Sequence, residues 1–193
     1  FVAFSNRFKL TAGDLTATQA SYVGNGVLAS TGSASTAGDG RVNFDDESIL
    51  VFQNLTAVNL LACANCMRVT GNGPASTSNT YINSYSQSLQ FGLTSASTNG
   101  AAWLDPSPTT QPQKNILSTG SKVPAAILQQ VDQKADDGSP NSGLFRQSST
   151  DSAADSTICA TLTTVPASGS TAAVTTTGWS NTGTANCAGA WLF

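Results

Sequence analysis

The chain has 193 residues, enough to bury a sizeable core, but only 10% of them are charged, and Ser, Thr, Gly, Ala and Asn dominate. Eight basic residues against eleven acidic ones give a net charge of −3 with no basic run, so the electrostatic footprint of a nucleic-acid binder is absent. There is no histidine, which removes the commonest general base, the Ser–His and Cys–His nucleophile pairs and the commonest transition-metal ligand.

In chain order, Phe1, Phe4 and Phe8 recur at i, i+3, i+7, the spacing of one helical stripe. Residues Phe1 to Leu10 therefore read as the tail of a longer helix, the alternative being a short amphipathic helix lying on the core. Thr11 to Thr36 is rich in small polar residues and reads as a long excursion with one turn of helix. Asn43 to Asp45 supplies helix caps, and Asp46 and Glu47 suit a first turn. Ile49, Phe52, Leu55, Val58 and Leu61 then form an apolar helical stripe that runs into Cys63 and Cys66. Alternation of Tyr81, Tyr85, Leu89 and Phe91 predicts a half-buried strand over 81–91. Residues 94–113, with Pro106, Pro108 and Pro112, read as loop. A helix is expected over 124–137, opened by Pro124 at the first helical position and carrying Ile127, Leu128, Val131 and Ala135. Strands follow at Leu144–Gln147 and Ile158–Val165. From Ser168 the tail is small and polar until Trp179, and Ala190-Trp191-Leu192-Phe193 is expected to tuck into the core. No internal repeat is visible, and no stretch reaches the roughly 18–20 apolar residues needed to cross a bilayer.

The cysteines and the acids are the candidates for chemistry. Four cysteines in a chain without cytosolic features imply two disulfides, for which three connectivities exist. Cys63 and Cys66 have dithiol spacing, but the motif follows a helix instead of opening one, so the helix dipole does not activate a thiol there. A four-cysteine zinc site needs a second close pair, which Cys159 and Cys187 do not form. Asp132, Asp136 and Asp137 stand at the expected end of the 124–137 helix, where the dipole prefers cations. Two accounts serve them. In the structural one, Asp137-Gly138 makes the cap and turn while Asp132 or Asp136 pairs with Lys134 or Arg146. In the other, Asp132, Asp136, Asp137 and Asn141 supply oxygens to a calcium ion, which takes six to eight. Asp39, Asn43, Asp45 and Glu47 faintly suggest an EF-hand, but Arg41 and Phe44 occupy positions where an acid and a glycine belong. Asn54-Leu55-Thr56 fits the N-glycosylation sequon inside a predicted helix. Trp103, Trp179 and Trp191 offer rings that stack on sugars or anchor a core.

Three blocks carry a family resemblance. Asp132-x-Lys134-x-Asp136-Asp137-Gly138-x-Pro140-x-x-Gly143 behind an apolar helix is the first. Gly38-Asp39-Gly40-Arg41-Val42-Asn43 with Glu47-Ser48 and a helix is the second. Phe4-x-x-x-Phe8-Lys9 with Gly13-Asp14 is the third, with Ala12 where proline is usual. In this order the blocks resemble bacterial type IV pilin-like proteins and pseudopilins, the group with a prepilin-type cleavage and methylation segment.

The resemblance implies an α+β fold in which the C-terminal part of an N-terminal helix and short helices pack on an antiparallel sheet. Long loops and a disulfide-bounded C-terminal region complete it, and 1–193 is expected to be a single head domain with 1–10 as the helix remnant. It implies a Cys159–Cys187 bridge, leaving Cys63–Cys66 as the second. It further implies a non-catalytic filament subunit that needs no cofactor, although several pseudopilins hold a C-terminal calcium. Its partners would be other pilin subunits, the pilus or secretion machinery and, through the preceding helix, the inner membrane. The isolated head would be monomeric, and the assembled filament would lie at the cell surface. The alternative is a secreted, disulfide-stabilised module that binds carbohydrate or another surface, supported by the tryptophans and the long polar loops.

Overall fold

The computed structural model describes residues 1–24, 26–30, 37–43, 46–66, 78–93, 114–148, 159–165, 173–180 and 186–193. The architecture is α+β. The chain forms two compact units, Phe1–Leu93 and Thr94–Phe193.

In the first unit, α1 (Val2–Phe8) ends where Lys9 turns left-handed, at φ 58°. Phe4 is fully buried and its ring lies 4.8 Å from that of Phe8, while Phe1 stacks on Phe91 at 5.2 Å. The expected aromatic stripe therefore exists and packs within this unit. α2 (Ala17–Val23) is opened by a complete capping box, in which the Thr16 hydroxyl accepts the Gln19 N–H and the Gln19 side chain accepts the Thr16 N–H.

α3 (Asp46–Ala57) is the unit's central helix. Ile49, Phe52, Leu55 and Val58 of the predicted stripe are buried, and so are Leu50, Val51 and Asn54. A helix covered on most of its circumference needs no polar face. It stops before Leu61, because Asn59 adopts φ 58° and the Leu60 N–H bonds back to the Leu55 carbonyl. The short strand β1 (Gln90–Leu93) lies against α3, with Phe91 edge-on to Phe52 at 5.3 Å.

The single strand expected over 81–91 is instead a tight hairpin. Ile82 bridges Ser88, and the Asn83 carboxamide oxygen accepts the N–H groups of Tyr85 and Gln87 at 2.8 and 3.0 Å. Asn83 thus offers the backbone a turn in place of a ladder. Ser86 at φ 59° completes the reversal.

In the second unit, strands β2 (Asn115–Ser118) and β3 (Phe145–Ser148) both pair antiparallel with β6 (Ala188–Leu192), which lies between them. The register sets Leu117 and Phe145 opposite Trp191. Strands β4 (Ala160–Val165) and β5 (Ala173–Trp179) form a separate antiparallel ribbon with an irregularity between Thr161 and Leu162. Helix α4 (Ala125–Ala135) lies against β3, β5 and β6. Its core contains Val123, Ala125, Leu128, Phe145, Cys159, Trp179 and Cys187, with Trp191 packed beside it.

Pro124 is the N-cap of α4, not its first helical residue, and the helix ends at Ala135, two residues short of expectation. The sequence reading missed β2, and it missed β5 within the small polar tail. Of the closing residues, Ala190 is fully buried, Leu192 is 6% exposed and Trp191 is half-buried, but Phe193 is 45% exposed and does not tuck into the core.

Both disulfides form. Cys63–Cys66 spans a Cα–Cα distance of 5.4 Å, and Cys159–Cys187 spans 5.6 Å. The second closes the longer loop and draws more stabilisation from loop-closure entropy, about 3–4 kcal/mol against about 2 for the first. Cys187 and Val123 also exchange both backbone hydrogen bonds, at 3.0 and 3.1 Å.

Candidate functional site

The acids at the end of α4 are the best-defined cluster. Only Asp132 lies inside the helix; Asp136 is its C-cap and Asp137 lies beyond it. The three residues each bring a carboxylate oxygen within 4.8 Å of the others. Asp132 is fully buried. Its Oδ2 accepts the indole N–H of Trp179 at 2.7 Å and its Oδ1 accepts the Gly138 N–H at 3.2 Å. Burial pushes the Asp132 carboxyl above its ordinary range, the two N–H donors oppose that, and the charges of Asp137 and Asp136 add to it.

Asp136 Oδ2 accepts the N–H groups of both Leu144 and Phe145, the latter at 2.8 Å, and so fixes the start of β3. Gly143 makes this approach possible. It sits at φ +70°, and a Cβ there would lie 2.0 Å from Asp136 Oδ2. Asp137 Oδ1 accepts the Ser139 N–H at 2.9 Å and its Oδ2 accepts the Ser142 hydroxyl at 2.5 Å. The Ser142 bond, with help from the Ser139 N–H and the charge of Arg146, holds Asp137 below its ordinary range. Asn141 Oδ1 accepts the Ser139 hydroxyl at 2.7 Å.

Asp132 from the last turn of α4 meets Asp136 and Asp137, with Asn141 in the turn that follows. The Asp137-Gly138 turn forms as the structural account has it, but the partners of Asp132 differ from that account. Asp132 bonds an indole and a backbone amide where Lys134 or Arg146 was the expected partner, and Arg146 donates its Nε–H to the Gly143 carbonyl at 2.9 Å. Five of the six carboxylate oxygens accept a hydrogen bond. The donor set has the hard-oxygen chemistry of a calcium site, yet a cation must share these oxygens with N–H and O–H groups already bound to them. Trp179 as the partner of Asp132 was not readable from sequence, because 47 residues separate the two.

The first unit contains a second set of carboxylates. Asp14, 1% exposed, accepts the N–H groups of Gly38 and Gly40, the latter at 2.6 Å, and burial pushes its carboxyl upward. Glu47, 2% exposed in the first turn of α3, accepts the Ser30 hydroxyl at 3.0 Å through Oε1. Its Oε2 accepts the Asn43 N–H at 2.8 Å and the Asn43 side-chain amide at 2.9 Å. The Gly38–Asn43 and Glu47 block is therefore a loop clasp. Gly13 allows it to close, since at φ +91° a Cβ there would meet the Glu47 carbonyl at 2.6 Å. Asn54 is fully buried and exchanges two hydrogen bonds with the Leu28 backbone, at 2.9 and 3.2 Å, so the sequon is not displayed in the folded chain.

Of the three tryptophans, Trp179 is 4% exposed with its N–H committed to Asp132, so it offers no platform for a sugar ring. Trp191 packs on Phe145 at 4.8 Å. Trp103 lies outside the described residues.

Compared with protein-family models, curated proteins and solved structures, the chain matches none. Among the described residues, no helix is long and apolar enough to cross a membrane.

Proposed function

We propose that this chain is the head of a non-catalytic filament subunit of the type IV pilin-like or pseudopilin class. The observation that carries the reading is the C-terminal region. A segment bounded by Cys159 and Cys187 delivers β6 into the middle of an antiparallel sheet, with α4 packed on that sheet. Such an arrangement ties the end of the chain into its core and suits a part that must resist extracellular conditions. The carboxylates singled out by the sequence hold loops, as the head of a filament needs.

On this reading the partners are further copies of the subunit and the assembly machinery. The preceding helix anchors the protein in the inner membrane before it is displayed on the cell surface. Intact-mass and N-terminal analysis of the protein from its native membrane or filament fraction tests the proposal. The expected result is an additional apolar segment of about twenty residues beginning with a methylated amino acid. A native chain that starts at Phe1, or directly after a conventional signal-peptide site, overturns it and leaves the secreted binding module in front.

The 4.8 Å acidic cluster favours a second, narrower reading, a calcium ion held by Asp132, Asp136 and Asp137, with Asn141 of the following turn as a further oxygen donor. It would neutralise like charges gathered where α4 ends. Thermal unfolding with and without calcium tests this, because saturation at a hundredfold excess over Kd adds about 2.7 kcal/mol. An unchanged midpoint up to millimolar calcium overturns it.

A further inference from the structure

The two disulfides differ in their surroundings. Cys159 and Cys187 are both fully buried, in the core cluster with Trp179 and Phe145. The Ser180 N–H bonds to the Cys159 carbonyl and Val123 bridges Cys187, so the backbone on both sides is fixed. Cys63 instead keeps part of its surface in solvent, and Ala62, Ala64 and Asn65 around it are exposed; only Cys66 is buried, at 2%. The segment lies beyond the end of α3, and no strand includes it. Among the described residues, a side-chain hydrogen bond connects it to the hairpin. The Ala62 carbonyl accepts the Tyr81 hydroxyl, and the Tyr81 ring lies 6.1 Å from Phe52, which in turn packs on Phe91.

We propose that Cys63–Cys66 is a thiol-exchange site, opened selectively by a dithiol reductant such as a thioredoxin-class protein, and that its redox state governs the hairpin at 81–89. In the exchange, a thiolate of the reductant attacks Sγ of Cys63 and forms a mixed disulfide, and Cys66 leaves as a thiolate that takes a proton from water. The reductant's second thiolate then displaces Cys63, so two electrons pass to this chain and the reductant ends as a disulfide. Attack requires access to a sulfur, and of the two pairs the first includes a cysteine that keeps surface in solvent while both cysteines of the second are fully buried. Opening a four-residue ring also releases little chain entropy, so the head stays folded when the ring opens. The position after α3 withholds the activation that a helix N-terminus gives a thiol, which makes the pair a substrate of reduction and not itself an oxidoreductase. When the ring opens, the 62–66 segment relaxes and the Ala62 hold on Tyr81 loosens.

The test is graded reduction of the intact protein with dithiothreitol under native conditions, alkylation with one reagent, full reduction, alkylation with a second, and peptide mass spectrometry. Cys63 and Cys66 are expected to take the first label at least tenfold faster than Cys159 and Cys187. Equal rates, or earlier labelling of the second pair, overturn the selectivity. Hydrogen exchange on the same samples, and on a Cys63→Ser/Cys66→Ser variant, reads the consequence. The amides of Asn83 and Leu89 should exchange several-fold faster than in the oxidised protein, while α4 and β6 remain unchanged. Unaltered exchange in the hairpin overturns the coupling.

Discussion

The two units solve the same problem from opposite ends of a helix. Each has a polar loop held against a core by carboxylates, of which Asp14 and Glu47 in the first unit and Asp132 in the second are buried. In the first, Glu47 occupies the opening turn of α3, where the helix dipole favours a negative charge, and three donors from Ser30 and Asn43 converge on it. In the second, Asp132 lies in the closing turn of α4, where the dipole opposes it, and its compensation is the Trp179 indole and the Gly138 amide. Burial raises Asp132 and Asp14 alike. The contrast teaches that helix position sets the sign of the background field, while the N–H groups gathered decide whether a buried carboxylate is tolerated.

The largest test of this comparison concerns the staples that frame it. Replacing both Cys159 and Cys187 by serine should cost about 4 kcal/mol in chemical denaturation, against about 2 for the Cys63/Cys66 pair. Equal losses would mean that loop length does not separate the units. Next, Asp132→Ala leaves the buried Trp179 indole and the Gly138 amide without their acceptor and should cost about 3 kcal/mol in urea unfolding. A loss below about 1 kcal/mol would show that the second clasp contributes little.

The amide variants sharpen the comparison further. Asp132→Asn keeps a carbonyl for Trp179 and removes a charge set against the dipole, a gain that offsets the NH2 it turns toward the longer 3.2 Å Gly138 contact, so its cost should stay below about 1 kcal/mol. Glu47→Gln removes a charge the dipole favours and should cost about 1–2 kcal/mol. Equal costs would break the argument from helix ends.

The smallest effect is a pH dependence. Because the folded Asp132 carboxyl sits above its unfolded value, the folded state binds the proton more tightly. The stability this contributes is present near and below the unfolded value and is lost as pH rises through the folded one. The wild-type protein should therefore gain stability relative to Asp132→Asn as pH falls from 7 toward 4, seen as a widening gap in unfolding midpoint. Asp137, held low, acts in the opposite direction and loses its contribution as pH falls through its folded value.

Much of the local structure was legible because it rests on near neighbours. Pro124 and the apolar spacing behind it located α4, and the Ile49–Val58 stripe located α3. The hairpin at 81–89 was misread because Asn83 spends its side chain on the backbone, which alternation does not record. Strand β2 lies in a stretch with little pattern of its own, and it is ordered by pairing with β6, some seventy residues away. The same holds for β5, whose small polar residues pair with β4. For the acids, the sequence located the cluster but not its bonding.

By itself, then, the amino-acid sequence determined the two main helices, the absence of histidine chemistry and the gathering of acids behind α4, all set by residue type and short-range spacing. The tertiary structure alone decided that β6 sits between β2 and β3, that Trp179 turns inward to bind Asp132, and that Asp136 needs Gly143 beside it. These are contacts between parts of the chain distant in sequence or sharing one tight turn, and their energy exists only once burial has removed the water that would otherwise satisfy the same groups.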